Sequence, residues 1–148
     1  MRVEINVPAT LTPEKVALYE RYVNSKHADE KKDKITDPLH HLFALHSGYS
    51  RIIEMDYYIG GRLAGVGIVD EAENALSSNY FYYDTEYLER RPGVLSILRE
   101  ISLAADMGKE YHYLGFYIED NPKMAYKKYF RPNQIYISGK WQDFLSGK

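Results

Sequence analysis

The spacing of hydrophobic residues predicts helices in the first third of the chain. Apolar side chains recur at every third or fourth position after Thr12-Pro13 and again after Asp37-Pro38, and each pair supplies a polar cap and a proline at a helix start. Residues 1–10 lack this period and predict an extended lead-in. The side chains expected to face inward are Val16, Tyr19, Tyr22 and Val23 in the first helix and Leu39, Leu42 and Phe43 in the second.

The spacing then changes to the two-residue period of strands. Arg51–Ile59 and Arg62–Val69 are rich in β-branched and aromatic residues, and the Gly60-Gly61 pair between them is a strong signal for a tight hairpin turn. Ala75–Asp84 is a third run of this kind. Together these segments predict an antiparallel sheet.

A helical period returns at Val94–Met107 after a loop at Glu89–Gly93. Gly108 follows this helix as a stop signal, because glycine readily adopts the left-handed conformation that ends helices. The predicted buried stripe consists of Leu95, Leu98, Ile101 and Ala105.

The next segment combines a strand signal with a helix start. Tyr111–Ile118 is rich in aromatic and β-branched residues and predicts a strand near the centre of the sheet, with Leu114 buried. Asn121-Pro122 then predicts the start of a short basic helix over Lys123–Phe130. Unpaired N–H groups at a helix start attract anions, so a phosphate or carboxylate is expected at this corner. Gln134–Ser138 is predicted as the last strand.

Composition narrows the function classes. The chain of 148 residues is long enough for one domain with a sizeable core, carries a net charge of −2 and contains no cysteine. Near neutrality predicts no global attraction to DNA, so any RNA contact depends on local basic patches. The lack of cysteine excludes a disulfide framework and a thiolate nucleophile. Because no apolar run approaches a membrane span and no signal-peptide pattern is present, a cytoplasmic protein is expected.

Three histidines raise the question of a metal site. His40, His41 and His46 lie in or near the second predicted helix, but the i and i+4 positions hold His41 and Leu45, and no carboxylate pair completes a ligand set. We therefore predict no metal and no other cofactor.

Several segments resemble the C-terminal domain of the arginyl-tRNA–protein transferases, a family that includes the bacterial aspartate/glutamate leucyltransferases. The matching pieces span roughly Leu18–Trp141: the LY-x-x-Y…(R/K)H segment ending at Lys26-His27, the hairpin strand Gly61–Asp70, the LSSNYFYYD string ending at Asp84, and Leu114–Ile118 with the basic segment that follows. The order of elements is similar to that of GNAT acyltransferases.

The resemblance implies an α/β fold over residues 1–148, a single GNAT-like domain with a mixed, mostly antiparallel sheet flanked by helices. It also implies that the cysteine-containing N-terminal domain of full-length family members is absent from this chain. The expected reaction moves an amino acid from aminoacyl-tRNA to the α-amino group of an acceptor protein, as in protein arginylation and the N-end rule. The ester is already activated, so the enzyme has to orient the reactants, remove a proton from the attacking ammonium and stabilise the oxyanion.

The resemblance also suggests roles for particular residues. Asp84, Tyr80 and Ser78 are the candidate catalytic residues, and Tyr83, Tyr117 and His27 are candidates for contact with the substrates. The candidate tRNA-binding residues are Arg90, Arg91, Lys123, Lys127, Lys128 and Arg131. The residues alone leave other roles open: Asp84 as the cap of a turn, His27 as the partner of a helix C-terminus, and the basic residues as a solvated face.

Two other functions compete with this hypothesis. The first is an N-acyltransferase that uses acyl-CoA on a small amine, although Leu95 replaces the second small residue of the usual pyrophosphate loop. The second is a module that binds tRNA or protein without catalysis. The donated amino acid, the acceptor and the oligomeric state are not fixed by the sequence.

Overall fold

The computed structural model describes residues 1–26, 37–47 and 51–144. The chain forms two compact units, Met1–Tyr113 and Leu114–Lys148. His27, a candidate substrate contact, lies outside the described residues.

The first unit is built on a five-stranded sheet whose strands follow the order of the chain. Strands β1 to β4 pair antiparallel with their neighbours, and β5 pairs parallel with β4. The expected mixed, mostly antiparallel sheet is therefore confirmed. The strands are β1 (Arg2–Asn6), β2 (Arg51–Ile59), β3 (Arg62–Glu71), β4 (Ala75–Tyr83) and β5 (Tyr111–Tyr113).

The β2–β3 hairpin forms at the predicted glycine pair. Gly60 and Gly61 have φ angles of +58° and +81°, and a two-residue hairpin turn with positive φ at both positions favours glycine. The lead-in at the N-terminus becomes β1, which pairs with β2 at the edge of the sheet.

Helices cover both faces of the sheet, so β2 and β3 are buried along most of their length. Helices α1 (Pro13–Lys26) and α2 (Pro38–His46) pack on one face, and α3 (Pro92–Asp106) packs on the other. Neighbouring residues of β3 show the division, because Ile68 belongs to the core under α1 and Val69 to the core under α3. The predicted cap of α2 is confirmed, since Asp37 accepts a hydrogen bond from the backbone N–H of His40 at 2.9 Å.

The predicted inward faces of α2 and α3 are partly wrong. Leu42 is buried, but Leu39 and Phe43 are 52% and 61% exposed. In α3 the exposed side chains include Leu98, at 51%, together with Ile101 and Ala105, whereas Leu95 is half-buried. The buried residues of α3 are Ser96, Ile97, Glu100 and Ala104. Two of these are polar, so the apolar pattern pointed to a different face from the one that packs.

A buried ion cluster joins α1 and α2 to strand β2. Lys15 Nζ lies 2.5 Å from Glu54 Oε1 and 2.8 Å from Asp56 Oδ2, and all three side chains are at most 3% exposed. His46 Nε2 lies 2.9 Å from Glu54 Oε2. Asn6 hydrogen bonds to both carboxylates, so few polar atoms of the cluster are left without a partner.

Strand β5 is shorter than predicted and lies at the edge of the sheet. It ends at Tyr113, and Leu114 is half-buried, so the predicted central strand Tyr111–Ile118 is wrong. The physical reason lies two residues further on, where Gly115 has a φ angle of +76° that a strand does not allow.

The second unit contains a 3₁₀ helix and a hairpin. The 3₁₀ helix spans Ala125–Tyr129, in place of the predicted α-helix over Lys123–Phe130. Asn121 Oδ1 accepts the backbone N–H of Lys123 at 2.9 Å, so the predicted cap residue closes a turn before the helix. Strand β6 (Gln134–Ile137) pairs antiparallel with β7 (Lys140–Asp143), a strand that the sequence analysis did not predict.

Candidate active site at the parting of two strands

Strands β4 and β5 separate part-way along their length. Only three residues pair, from Ala75 opposite Tyr111 to Ser77 opposite Tyr113, whereas β4 continues to Tyr83. Within the described sheet, the second half of β4 thus has a strand partner on one side only. We call this second half the open edge of β4.

Backbone donors point out of the open edge. The backbone N–H of Asp84 donates to the carbonyl of Ala64 at 2.8 Å, toward β3. Because hydrogen-bonded positions alternate along an antiparallel pair, the backbone groups of Tyr83 and Phe81 point away from β3. These N–H groups are suited to a carbonyl oxygen that gains negative charge during acyl transfer.

A β-bulge divides the candidate catalytic residues between the two faces of the sheet. Val69 pairs with Ser78 and Ile68 with Tyr80, so Asn79 is the extra residue. Ser78 therefore lies on the α3 face and Tyr80 on the face covered by α1 and α2. Without the bulge both would share a face.

Ser78 belongs to a buried polar network. It donates to Glu100 Oε2 and lies 3.2 Å from His112 Nε2, and the same His112 nitrogen is 3.3 Å from Glu100. Ser96 donates to the other oxygen of Glu100 at 2.7 Å. Burial alone raises the pKa of Glu100, but the hydrogen bonds from His112, Ser78 and Ser96 hold it below its usual value. A carboxylate thus sits beneath the point where β4 and β5 part.

Glu100 and His112 are not among the residues predicted from the sequence. The available signal was the spacing of Ser96 and Glu100, which are four residues apart and share a helix face. The strand β5 supplies His112 from a distant part of the chain, so no local pattern joins the three groups.

Tyr80 belongs to a cluster of tyrosines on the other face. Its ring lies 6.1 Å from that of Tyr19 between centroids, and the Tyr19 hydroxyl contacts His41 Nδ1. The Tyr82 ring packs edge-on against Tyr19, with 5.2 Å between the centroids. Burial raises the pKa of Tyr80 to about 12 and also raises that of Tyr19 and Tyr82, so all three are neutral phenols at pH 7.

Tyr83 and Asp84 end strand β4. The Tyr83 ring packs against Phe81 and Tyr22 in the core. Asp84 Oδ1 accepts the N–H of Glu86 at 3.2 Å and caps a 3₁₀ helix over Thr85–Arg90. Its Oδ2 lies 2.5 Å from the Arg62 guanidinium, so the carboxylate both caps a turn and forms an ion pair.

Arg90 and Arg91 lie where helix α3 begins. Both are exposed, and Arg91 adopts the left-handed conformation, with a φ angle of +52°. Helix α3 follows without a side-chain cap; Pro92 has no N–H, and the N–H groups of Val94 and Leu95 donate to the Arg91 carbonyl at 3.0 and 3.3 Å. The Arg90 guanidinium lies 5.8 Å from the centroid of the Tyr87 ring.

The second unit holds the remaining basic candidates. Lys123 and Arg131 are exposed, and the Lys128 ammonium lies 5.6 Å from the Tyr129 ring centroid. Lys127 Nζ donates to the carbonyls of Leu114 and Phe116 at 2.7 and 2.9 Å, so this ammonium also holds the backbone of its own unit. In the same unit the Tyr117 ring packs edge-on against Phe144, at 5.0 Å between centroids.

Neither a metal cluster nor a membrane helix is found in the part of the chain that the structure describes. No group of histidine, aspartate and glutamate there has an arrangement that holds a metal ion. No helix there is long and apolar enough to cross a membrane.

Comparison with solved structures defines the fold class. The chain is similar to an aminoglycoside acetyltransferase from a soil metagenomic sample, with a TM-score of 0.57 and 13% identity over 97% of each chain. It is similar to the PaiA N-acetyltransferase of Thermoplasma acidophilum, with a TM-score of 0.58 and 12% identity over 95% of this chain and 96% of that one. The fold is therefore that of the GNAT acetyltransferases.

Sequence comparison then identifies the family. The model of the arginine-tRNA-protein transferase C terminus matches residues 14–137, and the chain belongs to this family. It is 34% identical to the aspartate/glutamate leucyltransferase of Pseudoalteromonas atlantica over 85% of this chain and 54% of that protein. It is 33% identical to the enzyme of the same name from Chromobacterium violaceum over 95% of this chain and 58% of that protein. The chain spans about half the length of these curated relatives.

Proposed function

We propose that the chain is the transferase domain of an aminoacyl-tRNA–protein transferase. The observation that carries the proposal is the open edge of β4, with a backbone donor that points away from β3, in a chain of this family. In the proposal residues 1–148 act as one transferase domain. The donor is leucyl- or arginyl-tRNA, and the acceptor is a protein or peptide with a free α-amino group.

The donor ester lies along the open edge in the proposed complex. The N–H group of Phe81 holds the ester carbonyl oxygen and stabilises the oxyanion as the acceptor nitrogen attacks. The new C–N bond forms, the C–O bond to the ribose breaks, and the ribose oxygen leaves with a proton from the nitrogen. No covalent enzyme intermediate is required, because the ester is already activated.

Ser78 and Asp84 have supporting roles in this proposal. Ser78, held by Glu100 and His112, fixes the point at which β5 leaves β4. Asp84 binds the ammonium group of the donated amino acid, and its pairing with Arg62 keeps the carboxylate in place. Tyr83 and Tyr117, with His27, remain proposed substrate contacts.

The tRNA contacts are proposed for both units. Arg90 and Arg91 meet phosphates at the start of α3, where the positive end of the helix dipole adds to their charge. The proposed phosphate contacts of the second unit are Lys123, Lys128 and Arg131. Lys127, whose ammonium donates to the Leu114 carbonyl, adds a further positive charge to this surface. We place the reaction in the cytoplasm, where aminoacyl-tRNA is made, and connect it with protein arginylation or leucylation in the N-end rule.

The decisive experiment incubates the full chain with labelled leucyl-tRNA or arginyl-tRNA and peptides that begin with Asp, Glu or Ala. Label should pass to at least one peptide, and the same peptide with an acetylated N-terminus should receive none. A parallel reaction with labelled acetyl-CoA tests the acyl-CoA alternative, which the fold neighbours favour. Acetyl transfer without aminoacyl transfer would refute the proposal and indicate an acyl-CoA-dependent N-acyltransferase. Binding of tRNA with neither transfer would indicate a binding module.

A further inference from the structure

The two units of the chain differ in net charge. Residues 114–148 include six basic and three acidic residues, whereas residues 1–113 include thirteen basic and eighteen acidic residues. With neutral histidines, the charge of −2 on the whole chain therefore combines −5 on the first unit with +3 on the second. A basic unit in a nearly neutral chain attracts polyanions to its own surface, although the chain as a whole does not.

The second unit also exposes aromatic rings. Seven phenylalanine, tyrosine and tryptophan side chains are exposed among the described residues, and four of them belong to the second unit, which holds less than a quarter of the chain. These four are Phe116, Tyr129, Tyr136 and Trp141. Exposed aromatic rings on a basic surface are typical of proteins that bind single-stranded nucleic acid.

Two of these rings lie side by side on the β6–β7 hairpin. Tyr136 and Trp141 are directly opposite each other in the register, so their side chains share a face. Their ring centroids are 5.2 Å apart, and the side chains are 58% and 51% exposed. On the same face Gln134 donates to the carboxylate of Asp143 at 3.1 Å. We call Tyr136 and Trp141 the hairpin platform.

Basic residues lie near the hairpin platform in the chain and in space. Asn133 Nδ2, at the start of the hairpin, donates to the carbonyl of Lys128 at 3.0 Å and so ties the hairpin to the basic 3₁₀ helix. Arg131 is exposed between these two residues, and the exposed Lys140 directly precedes Trp141. Cations therefore flank the aromatic pair on both strands of the hairpin.

We propose that the hairpin platform stacks on unpaired bases of the donor tRNA while the neighbouring basic residues contact its phosphates. The inference deepens the proposed function and rests on it, because that function supplies tRNA as the RNA. Every base has a π-face, so stacking on aromatic side chains tolerates any sequence. Paired bases are hidden inside a helix, so the platform selects unpaired segments. The surrounding lysines favour RNA over a protein partner, since protein–protein interfaces are depleted in lysine.

The test uses Trp141 as the reporter, because it is the single tryptophan of the chain. The full chain is titrated with a short uncharged single-stranded RNA, with a strand of equal length that lacks bases, and with duplex RNA. The single strand should quench the Trp141 fluorescence as a base stacks on the ring. The strand without bases keeps the phosphates, and it should bind more weakly and leave the fluorescence nearly unchanged.

Variants at Tyr136 test the second ring of the platform. Tyr136→Leu should weaken binding of the single strand at least about fivefold, the low side of the contribution of one stacked base. The salt slope should stay the same, because no phosphate contact is lost. Tyr136→Phe keeps the ring and should bind like the wild type. Phe43→Leu removes an exposed ring of the first unit and is the matched control, with no change expected.

The comparison of strands with and without bases uses the wild-type chain, so it does not depend on the folding of a variant. Equal affinity for the two strands, tighter binding of duplex than of single strand, or wild-type affinity in Tyr136→Leu would overturn the inference. Because the RNA is uncharged, binding is measured separately from transfer. Transfer without base-dependent binding would refute the platform alone. Base-dependent binding by a chain that transfers nothing would keep the platform as an RNA site and refute the proposed function.

Discussion

Replacement of Lys15 by methionine should reduce the free energy of unfolding by about 3–5 kcal/mol, the usual cost of removing one partner from a buried ion pair. The Lys15 ammonium lies within 3.0 Å of four oxygens, two of them on the carboxylates of Glu54 and Asp56. Methionine preserves most of the side-chain volume and removes the charge. His46 and Asn6 remain, but they leave one buried negative charge uncompensated.

Thermal and urea unfolding measure this effect. For a chain of this size about 1 kcal/mol shifts the melting temperature by about 2–4 °C, so the variant should melt roughly 6–20 °C below the wild type. Adding Glu54→Gln to Lys15→Met removes one of the two carboxylate charges and should recover part of the loss. Lys140→Met, at an exposed position, is the control and should change the melting temperature by less than about 2 °C.

The pH dependence identifies the cause. Burial raises the pKa of Glu54, but the bonds from His46 and Lys15 outweigh burial and lower it, so the stabilisation is present above the unfolded value and lost as the pH falls. Burial lowers the pKa of Lys15, but the bonds to the carboxylates outweigh it and raise the pKa, so this part is lost only at strongly alkaline pH. The difference between wild type and Lys15→Met should therefore be largest near pH 7 and shrink toward pH 4. A cost below about 1 kcal/mol, or one that does not change with pH, would refute the reasoning.

The remaining predictions concern His46 of the ion cluster, the buried face of α3, the end of β4 and the second unit. Burial lowers the pKa of His46, but the hydrogen bond to Glu54 outweighs burial and raises the pKa, so the wild-type free energy of unfolding should fall as the pH rises through the raised pKa. The fall should be weaker in His46→Gln. Equal slopes of melting temperature against pH in the two proteins would contradict this prediction. Ile97→Ala should cost about 2–5 kcal/mol in urea unfolding and Leu98→Ala less than about 1 kcal/mol, and the reverse order would restore the originally predicted face of α3. Asp84→Asn should lower the rate of transfer at least about tenfold with little change in melting temperature, whereas undiminished transfer would leave Asp84 as a turn cap only. Lys128→Glu should reduce the salt slope of tRNA binding by about one, and an unchanged slope would make this lysine part of a solvated face.

The parts of the fold that were predicted correctly depend on local chemistry. The Gly60-Gly61 turn and the Asp37 cap each need only a few neighbouring residues, and both are present. The alternating strands on either side of the turn, and the family resemblance, then led to the mixed sheet.

The parts that were wrong depend on contacts between distant residues. The buried face of α3 carries Ser96 and Glu100, and a polar residue is buried there only because β4 and β5 supply Ser78 and His112. No periodicity of apolar residues reports such a network, so Leu98 was assigned to the core in error. The end of β5 depends on Gly115, whose positive φ is not evident from a run of aromatic residues.

The candidate site was predicted as a set of residue types along β4, without their arrangement. Tyr80 and Ser78 both lie at the open edge, but the extra residue between them was not visible in the alternating pattern. Glu100 gained a proposed role only from its contacts, since it was hidden in an apolar helix.

The extra residue Asn79 also determines which face of the sheet the following side chains of β4 point toward. Side chains of a strand alternate between faces, so deletion of Asn79 would turn Tyr80 and Tyr82 toward α3 and Phe81 toward α1. The same shift would exchange which backbone N–H groups face β3 and which face outward. A single-residue deletion in this strand would thus change the side chains on both faces of the sheet at once, whereas a substitution changes one side chain. In this segment the length of the strand carries as much functional information as its composition.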